Sequence, residues 1–176
     1  STKPFVLLNY SATIHDIFTI AHELGHSMHS YYSNHTQPYS KAGYAIFVAE
    51  VASTVNEVLL LKYLLATTTD KKMKKYLLSY YLDMFRTTLF RQTMFAEFEK
   101  NVHEKNEKLE SLTSEKLCNI YYDLNKKYFG DGVYVDDEIK YEWSRIPHFY
   151  YDFYVYKYAI GLSSACYIVE GILNNK

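Results

Sequence analysis

Ile14-His-Asp-Ile-Phe-Thr-Ile-Ala-His-Glu-Leu-Gly-His-Ser-Met-His-Ser-Tyr-Tyr32 is the stretch whose reading decides the fold class of this chain. Within it Ile17, Ala21, Leu24, Met28 and Tyr31 fall at i, i+4, i+7, i+11 and i+14, which is the spacing of a narrow apolar stripe along one side of a helix. Thr13 or Asp16 suits the helix start, and the stretch from Ser33-Asn34 to Gly43, with Pro38, ends it. At about 100° per residue His22 and His26 fall on the side away from that stripe. The spacing therefore predicts a helix with its apolar back in a core and its histidines facing a cleft.

Outward from this helix the pattern stays helical. A second helical segment is predicted from about Ala45 to Ala66, and a third opens after Thr69 and Asp70 and continues past His103. A fourth starts at Thr113, Ser114 and Glu115 and stops at Gly130. A Gly- and Asp-rich connection fills Gly130 to Trp143, and a last helix follows Pro147 and carries most of the remaining tyrosines. Upstream, Phe5-Val-Leu-Leu-Asn-Tyr10 is a short apolar run bounded by Pro4 and the Ser11/Thr13 cluster, a length that suits a strand. The fold class expected is mainly α with a short β element at the start. The lysines of Lys71-Lys72-Met73-Lys74-Lys75 oppose the dipole of the helix they open and read as a solvated face.

The 176 residues are 48% hydrophobic, enough for one domain with its own core and too few for two. Formal charge is −1, so no electrostatic footprint for nucleic acid or for an anionic membrane stands out. No stretch has the apolar length needed to span a bilayer, and Cys118 and Cys166 read as two reduced thiols, so a cytoplasmic protein is expected. The chain begins Ser-Thr-Lys-Pro and looks like a piece of a longer protein.

His22-Glu23-Leu24-Gly25-His26 carries the chemistry. Two imidazoles at i and i+4 project from one side of a helix, one turn apart, so that both nitrogens can reach one ion, and Glu23 stands beside them to hold a water. Hydrolytic zinc takes three protein ligands and keeps a position for water, so a third is needed. His29 lies seven residues from His22, about 10.5 Å along the axis, too far to share the ion. The arrangement in which a glycine turn brings round a third histidine is absent, since His29 and Tyr32 occupy its glycine and histidine positions. Glu50 is the better candidate. It sits in the apolar run Phe47-Val-Ala-Glu-Val-Ala52, and no lysine or arginine occurs from Ala45 to Leu61 to balance its charge. Glu57, on the same face, together with Ser53 and Thr54, is placed to orient the histidines. The other reading of these four positions is the wet stripe of an amphipathic helix.

With two histidines and a glutamate as ligands, zinc lowers the pKa of water toward neutrality, and Glu23 serves as general base to the attack on a peptide carbonyl. Donors for the resulting oxyanion are sought near the C-terminus, where His148, Tyr151, Val155 and Tyr158 are spaced by three, four and three residues along one side of the expected last helix. Tyr150, Tyr154 and Tyr156 are substitutes on neighbouring faces; an aromatic core stripe is the alternative.

The segments His22–Tyr32, Gln37-Pro-Tyr39, Ile46–Glu57, Phe90–Glu99 and Ile146–Tyr158, in this order, resemble the catalytic core of oligoendopeptidase F, a branch of the thimet oligopeptidase family of zinc metallopeptidases. The resemblance covers nearly all of residues 1–176. It implies a zincin-type helical catalytic domain, one zinc ion per chain held by His22, His26 and Glu50, and Glu23 as base. It further implies that His148 and tyrosines near it, Tyr158 foremost and Tyr151 as a candidate, stabilise the intermediate. In the thimet branch a further tyrosine stands where this chain has Val155, so either Tyr154 or Tyr151 takes over its role or one donor is missing. Oligopeptides are the implied substrates, cleaved internally within a channel, and Phe5 to Tyr10 resembles the edge strand along which they pair. Members of the family are longer, the part absent here precedes Ser1, and it is the one protein partner implied; nucleic acid and membrane are not.

Overall fold

The computed structural model describes residues 3–174. Its elements follow one another as α1 (Ile14–Thr36), a 3-10 turn (Tyr39–Lys41), α2 (Ile46–Thr67), α3 (Lys71–Met84), a π-helical turn (Phe85–Phe90), α4 (Arg91–Glu107), α5 (Ser114–Phe129), 3-10 segments at Asp137–Arg145 and Pro147–Tyr150, and α6 (Tyr156–Leu173). The mainly α expectation is met, and the helix starts follow from local chemistry. Thr13 caps α1 in a reciprocal box with Asp16, Thr113 caps α5 by accepting from the Lys116 N–H, and Gly130 ends α5 at φ +71°, a conformation that favours glycine. The lysines at 71, 72, 74 and 75 are exposed, as a solvated face requires.

The chain divides into two compact units. Among the described residues the first comprises 3–84 and 160–174, and the second 85–159. In the first, Phe18 of α1, Leu61 of α2 and Leu77 of α3 form a buried cluster, with Phe18 stacked on Tyr80 at a ring separation of 4.4 Å. Full burial of side chains of this size contributes about 1.5–3 kcal/mol each. In the second, Met94, Phe95 and Phe98 of α4 meet Tyr121 and Leu124 of α5, closed by Ile146 and Val155. The buried Glu142 carboxylate of that unit is matched by Arg91, Arg145 and the Tyr121 hydroxyl. Both cysteines are free. Among the described residues no helix is long and apolar enough to cross a membrane.

Four sequence expectations are corrected. The single core expected of a chain of this length is instead two, one in each unit. Residues 5–10 form no strand: Phe5 and Leu7 are 92% and 95% exposed, and no described segment pairs with them. A strand exists through its ladder partner, so a short apolar run without one leaves an extended coil. The stripe on α1 is not the buried side either, since Ile17, Leu24, Met28 and Tyr31 are exposed while Phe18 and Gly25 are buried. The packed side is thus the one that also bears His22. Lastly, His148, Tyr151, Val155 and Tyr158 do not share one helix. Residues 147–150 are 3-10, a turn follows with Phe153 at φ +53°, and α6 begins only at Tyr156.

Candidate functional site

Gly25 determines how closely α1 and α2 cross. A Cβ at this position would lie 2.7 Å from Ser53 Cα, 3.0 Å from Ala52 O and 3.2 Å from Asn56 Nδ2, so only hydrogen fits there. The same crossing lets Asn56 donate to the Ala21 carbonyl at 3.3 Å. On α6, Gly161 lies against Glu50, its missing Cβ 3.9 Å from that of the glutamate.

Around this crossing three side chains converge. One ligand atom each from His22, His26 and Glu50 lies within 4.8 Å of the other two. His22 Nε2 is 3.1 Å from His26 Nε2 and 3.7 Å from Glu50 Oε2. Donors bound tetrahedrally to zinc at its usual bond lengths stand about 3.4 Å apart, so these separations suit one ion. The tautomer of His22 points the same way. Its Nδ1 is 2.5 Å from Glu57 Oε1 and donates to that carboxylate, which leaves the Nε2 lone pair facing His26 and Glu50. Two nitrogens and a carboxylate oxygen facing one another are a donor set that asks for a cation, and an imidazole oriented by a carboxylate is the usual second layer of such a centre. Burial lowers the His22 pKa, but the hydrogen bond that the ring donates to Glu57 and the negative charges of Glu57, Glu50 and Glu23 outweigh it, and the net shift is upward.

Glu23, next to His22, opens onto a cavity of about 500 Å³ that it lines with His26, Ser27, Ser30, Tyr31 and Asn34. Of the three residues expected to orient the histidines, Glu57 does so. Ser53 instead turns its hydroxyl to the backbone carbonyls of Glu50 and Ala49 within α2. His29, set aside on distance, lies outside the ligand group. It stacks on Tyr44 with ring centroids 3.9 Å apart, and burial, with His26 nearby, lowers its pKa.

In the second unit, His148 and Tyr158 come together with Tyr154. The Tyr158 hydroxyl is 3.4 Å from His148 Nε2 and 3.4 Å from the Tyr154 hydroxyl, and the Tyr154 ring lies parallel to His148, 5.6 Å away at 8°. Val155 is fully buried in the core. Tyr151 is largely exposed, its ring 6.2 Å from that of Tyr154.

The sequence profile of peptidase family M3 matches residues 1–176. The chain belongs to peptidase family M3. This M3 chain is 56% identical over 172 residues to oligopeptidase PepF of Bacillus subtilis (strain 168), a match covering 98% of this chain and 26% of that protein. It is 49% identical over 173 residues to the chromosomal oligoendopeptidase F of Lactococcus lactis subsp. cremoris, covering 98% of this chain and 29% of that one. The crystal structure of oligoendopeptidase-F from Enterococcus faecium superimposes with a TM-score of 0.80 at 48% identity, over 93% of this chain and 29% of the other. The M3 chain thus spans little more than a quarter of the length of these relatives.

Proposed function

We propose that this chain is the zinc-binding catalytic part of a metalloendopeptidase that hydrolyses internal bonds of short peptides. The observation that carries this reading is the convergence of His22, His26 and Glu50 from two helices, with Glu23 adjoining them on an open cavity. Kinship with proteins named oligopeptidase and oligoendopeptidase supports the substrate class.

His22, His26 and Glu50 would hold the ion, with Glu57 fixing the His22 ring. Zinc so held supplies the Lewis acidity that makes water nucleophilic near neutral pH. Glu23 takes the proton of the attacking water and afterwards delivers it to the leaving amine. His148 and Tyr158 donate to the oxyanion of the tetrahedral intermediate. Tyr154, whose hydroxyl bonds that of Tyr158, takes the part of the tyrosine that Val155 replaces. Tyr151, largely exposed and with its ring 6.2 Å from that of Tyr154, is the other candidate for that part.

Glu23→Gln is the decisive test: one zinc per chain is retained while cleavage of an internally quenched peptide falls by about 10³-fold, the middle of the range that one general base contributes. Cleavage surviving that change overturns the mechanism. A second reading, favoured by the short span relative to the relatives, is a zinc-binding part that cleaves only when joined by the remainder. Zinc bound without cleavage, and cleavage appearing once the remaining polypeptide is added, distinguishes the two.

A further inference from the structure

Glu99 is a buried carboxylate that the proposed mechanism does not use. It is 5% exposed, on α4, beside Met94, Phe95 and Phe98 of the core. Glu142, the other buried acid of this unit, is matched by two guanidinium groups; Glu99 is not. Among the described residues its hydrogen-bond donor is a backbone group, the N–H of Phe153, 2.8 Å from Oε1 and 54 residues along the chain. The charges that face it are His103 on its own helix and Asp152 from the turn, and burial raises its pKa. A buried carboxylate so weakly compensated costs stability. Its position calls for another explanation.

The residue it grips supplies one. Phe153 stands at φ +53°, where a bulky side chain is a true outlier. The His103 ring lies 4.7 Å from the Phe153 ring, so α4 holds this residue at both backbone and side chain. The left-handed residue closes the turn in which the Tyr154 N–H bonds the Tyr151 carbonyl at 3.1 Å, and α6 starts directly afterwards. Only with that reversal does Tyr154 come to lie flat beside His148 and the Tyr158 hydroxyl reach both. Relaxation of Phe153 to ordinary helical φ would swing the chain by about 115° and part the three side chains.

We propose that Glu99 is a positioning residue for the His148–Tyr154–Tyr158 cluster, its carboxylate holding Phe153 in the left-handed conformation on which the convergence of the three depends. The inference rests on reading that cluster as the donor set for the intermediate, but its geometric half is testable without catalysis.

The experiment compares Glu99→Leu, Glu99→Gln and the double variant Glu99→Leu/Phe153→Gly in the zinc-loaded chain, by NMR and by hydrolysis of a quenched peptide. Leucine removes the acceptor, so the Phe153 amide exchanges at least about tenfold faster and the His148–Tyr154 ring cross-peaks vanish. Peptide kcat falls about 10- to 100-fold at unchanged KM and zinc content, as a misplacement of about 1 Å does. Glutamine keeps an acceptor oxygen and preserves both readouts. Glycine adopts positive φ at no steric cost and restores the ring cross-peaks to the leucine variant. Cross-peaks that persist in Glu99→Leu overturn the proposal, as does a glutamine variant damaged as badly as the leucine one. If Glu99→Leu does not fold, a folded double variant with its cross-peaks supports the proposal, and an unfolded one overturns it. Tyr158→Phe and His148→Ala separate the two claims. If they leave hydrolysis intact, or the chain shows none, the cross-peaks alone decide for or against Glu99. If they depress kcat while Glu99→Leu changes nothing, the positioning claim falls and the donor reading stands.

Discussion

Substituting Gly25 by alanine sets two opposing effects against each other, and the structure decides between them. In a helix interior alanine is worth about 1 kcal/mol over glycine, so a Gly25 facing open space would give a stabilised variant. Here the added methyl meets Ser53 Cα at 2.7 Å and Ala52 O at 3.0 Å, and both are backbone atoms of a packed helix that no rotamer change can move. Carbon atoms rest at about 3.5–4.0 Å, so α1 and α2 must separate by about 1 Å. Overpacking of this kind costs about 1–3 kcal/mol, and after the gain in helix propensity a net loss of about 1 kcal/mol is expected. The larger effect falls on the metal. His22 and His26 are carried by α1 and Glu50 by α2, whereas ligand distances tolerate about ±0.2 Å. Zinc affinity should fall at least about tenfold, as it does when ligand-orienting contacts are lost. The assays are competition for zinc with a chromophoric chelator and thermal unfolding of the metal-free chain. A Gly25→Ala chain that melts higher than its parent and binds zinc equally well would refute this account of how the two helices bring the ligands together.

Other consequences can be measured separately. Glu57→Ala, which frees the His22 ring, should weaken zinc binding by about 10- to 100-fold in the same competition assay, with helix content by circular dichroism unchanged. Thr13→Ala removes the side-chain cap of α1 and should cost about 1 kcal/mol of stability in denaturant unfolding with no change in zinc stoichiometry. The pKa of Glu99 is raised by burial, so ionisation opposes folding: its contribution to stability improves as pH falls from neutrality through that raised pKa toward the ordinary glutamate range, and worsens as pH rises. Glu99→Gln should therefore gain in stability relative to its parent at pH 7, an advantage that shrinks on acidification; a difference in melting temperature independent of pH would contradict this.

The candidate metal centre was legible because its information is local and chemical. Two histidines one helical turn apart and a carboxylate in a stretch without cations announce themselves in sequence, and the structure brings all three together. Helix ends were legible for the same reason, since Thr13, Thr113 and Gly130 act within a few residues of where they stand. What could not be read depends on distant partners. Residues 5–10 have strand composition, but composition does not supply a neighbouring strand. The stripe from Ile17 to Tyr31 has core composition, but the side of α1 that packs is chosen by what Gly25 omits, and hydrophobic periodicity does not register a missing side chain. The turn at Phe153 was hidden because a glycine or asparagine ordinarily marks positive φ, and an aromatic residue there is held by Glu99 from 54 positions away. One signal for Glu99 was present: an acid following Met94, Phe95 and Phe98 at core spacing asks for a partner just as Glu50 does.

The bare side of α1 bears on how this chain will behave in a test tube. Ile17, Leu24, Met28 and Tyr31 form a wet hydrocarbon ridge along the helix that carries both histidines, and ridges of this kind are adhesive. Sedimentation should show larger species as the protein is concentrated, more so in sulfate and less in dilute urea. Leu24→Asp and Met28→Asp together should restore a concentration-independent profile while leaving His22 and His26 free to take up the metal.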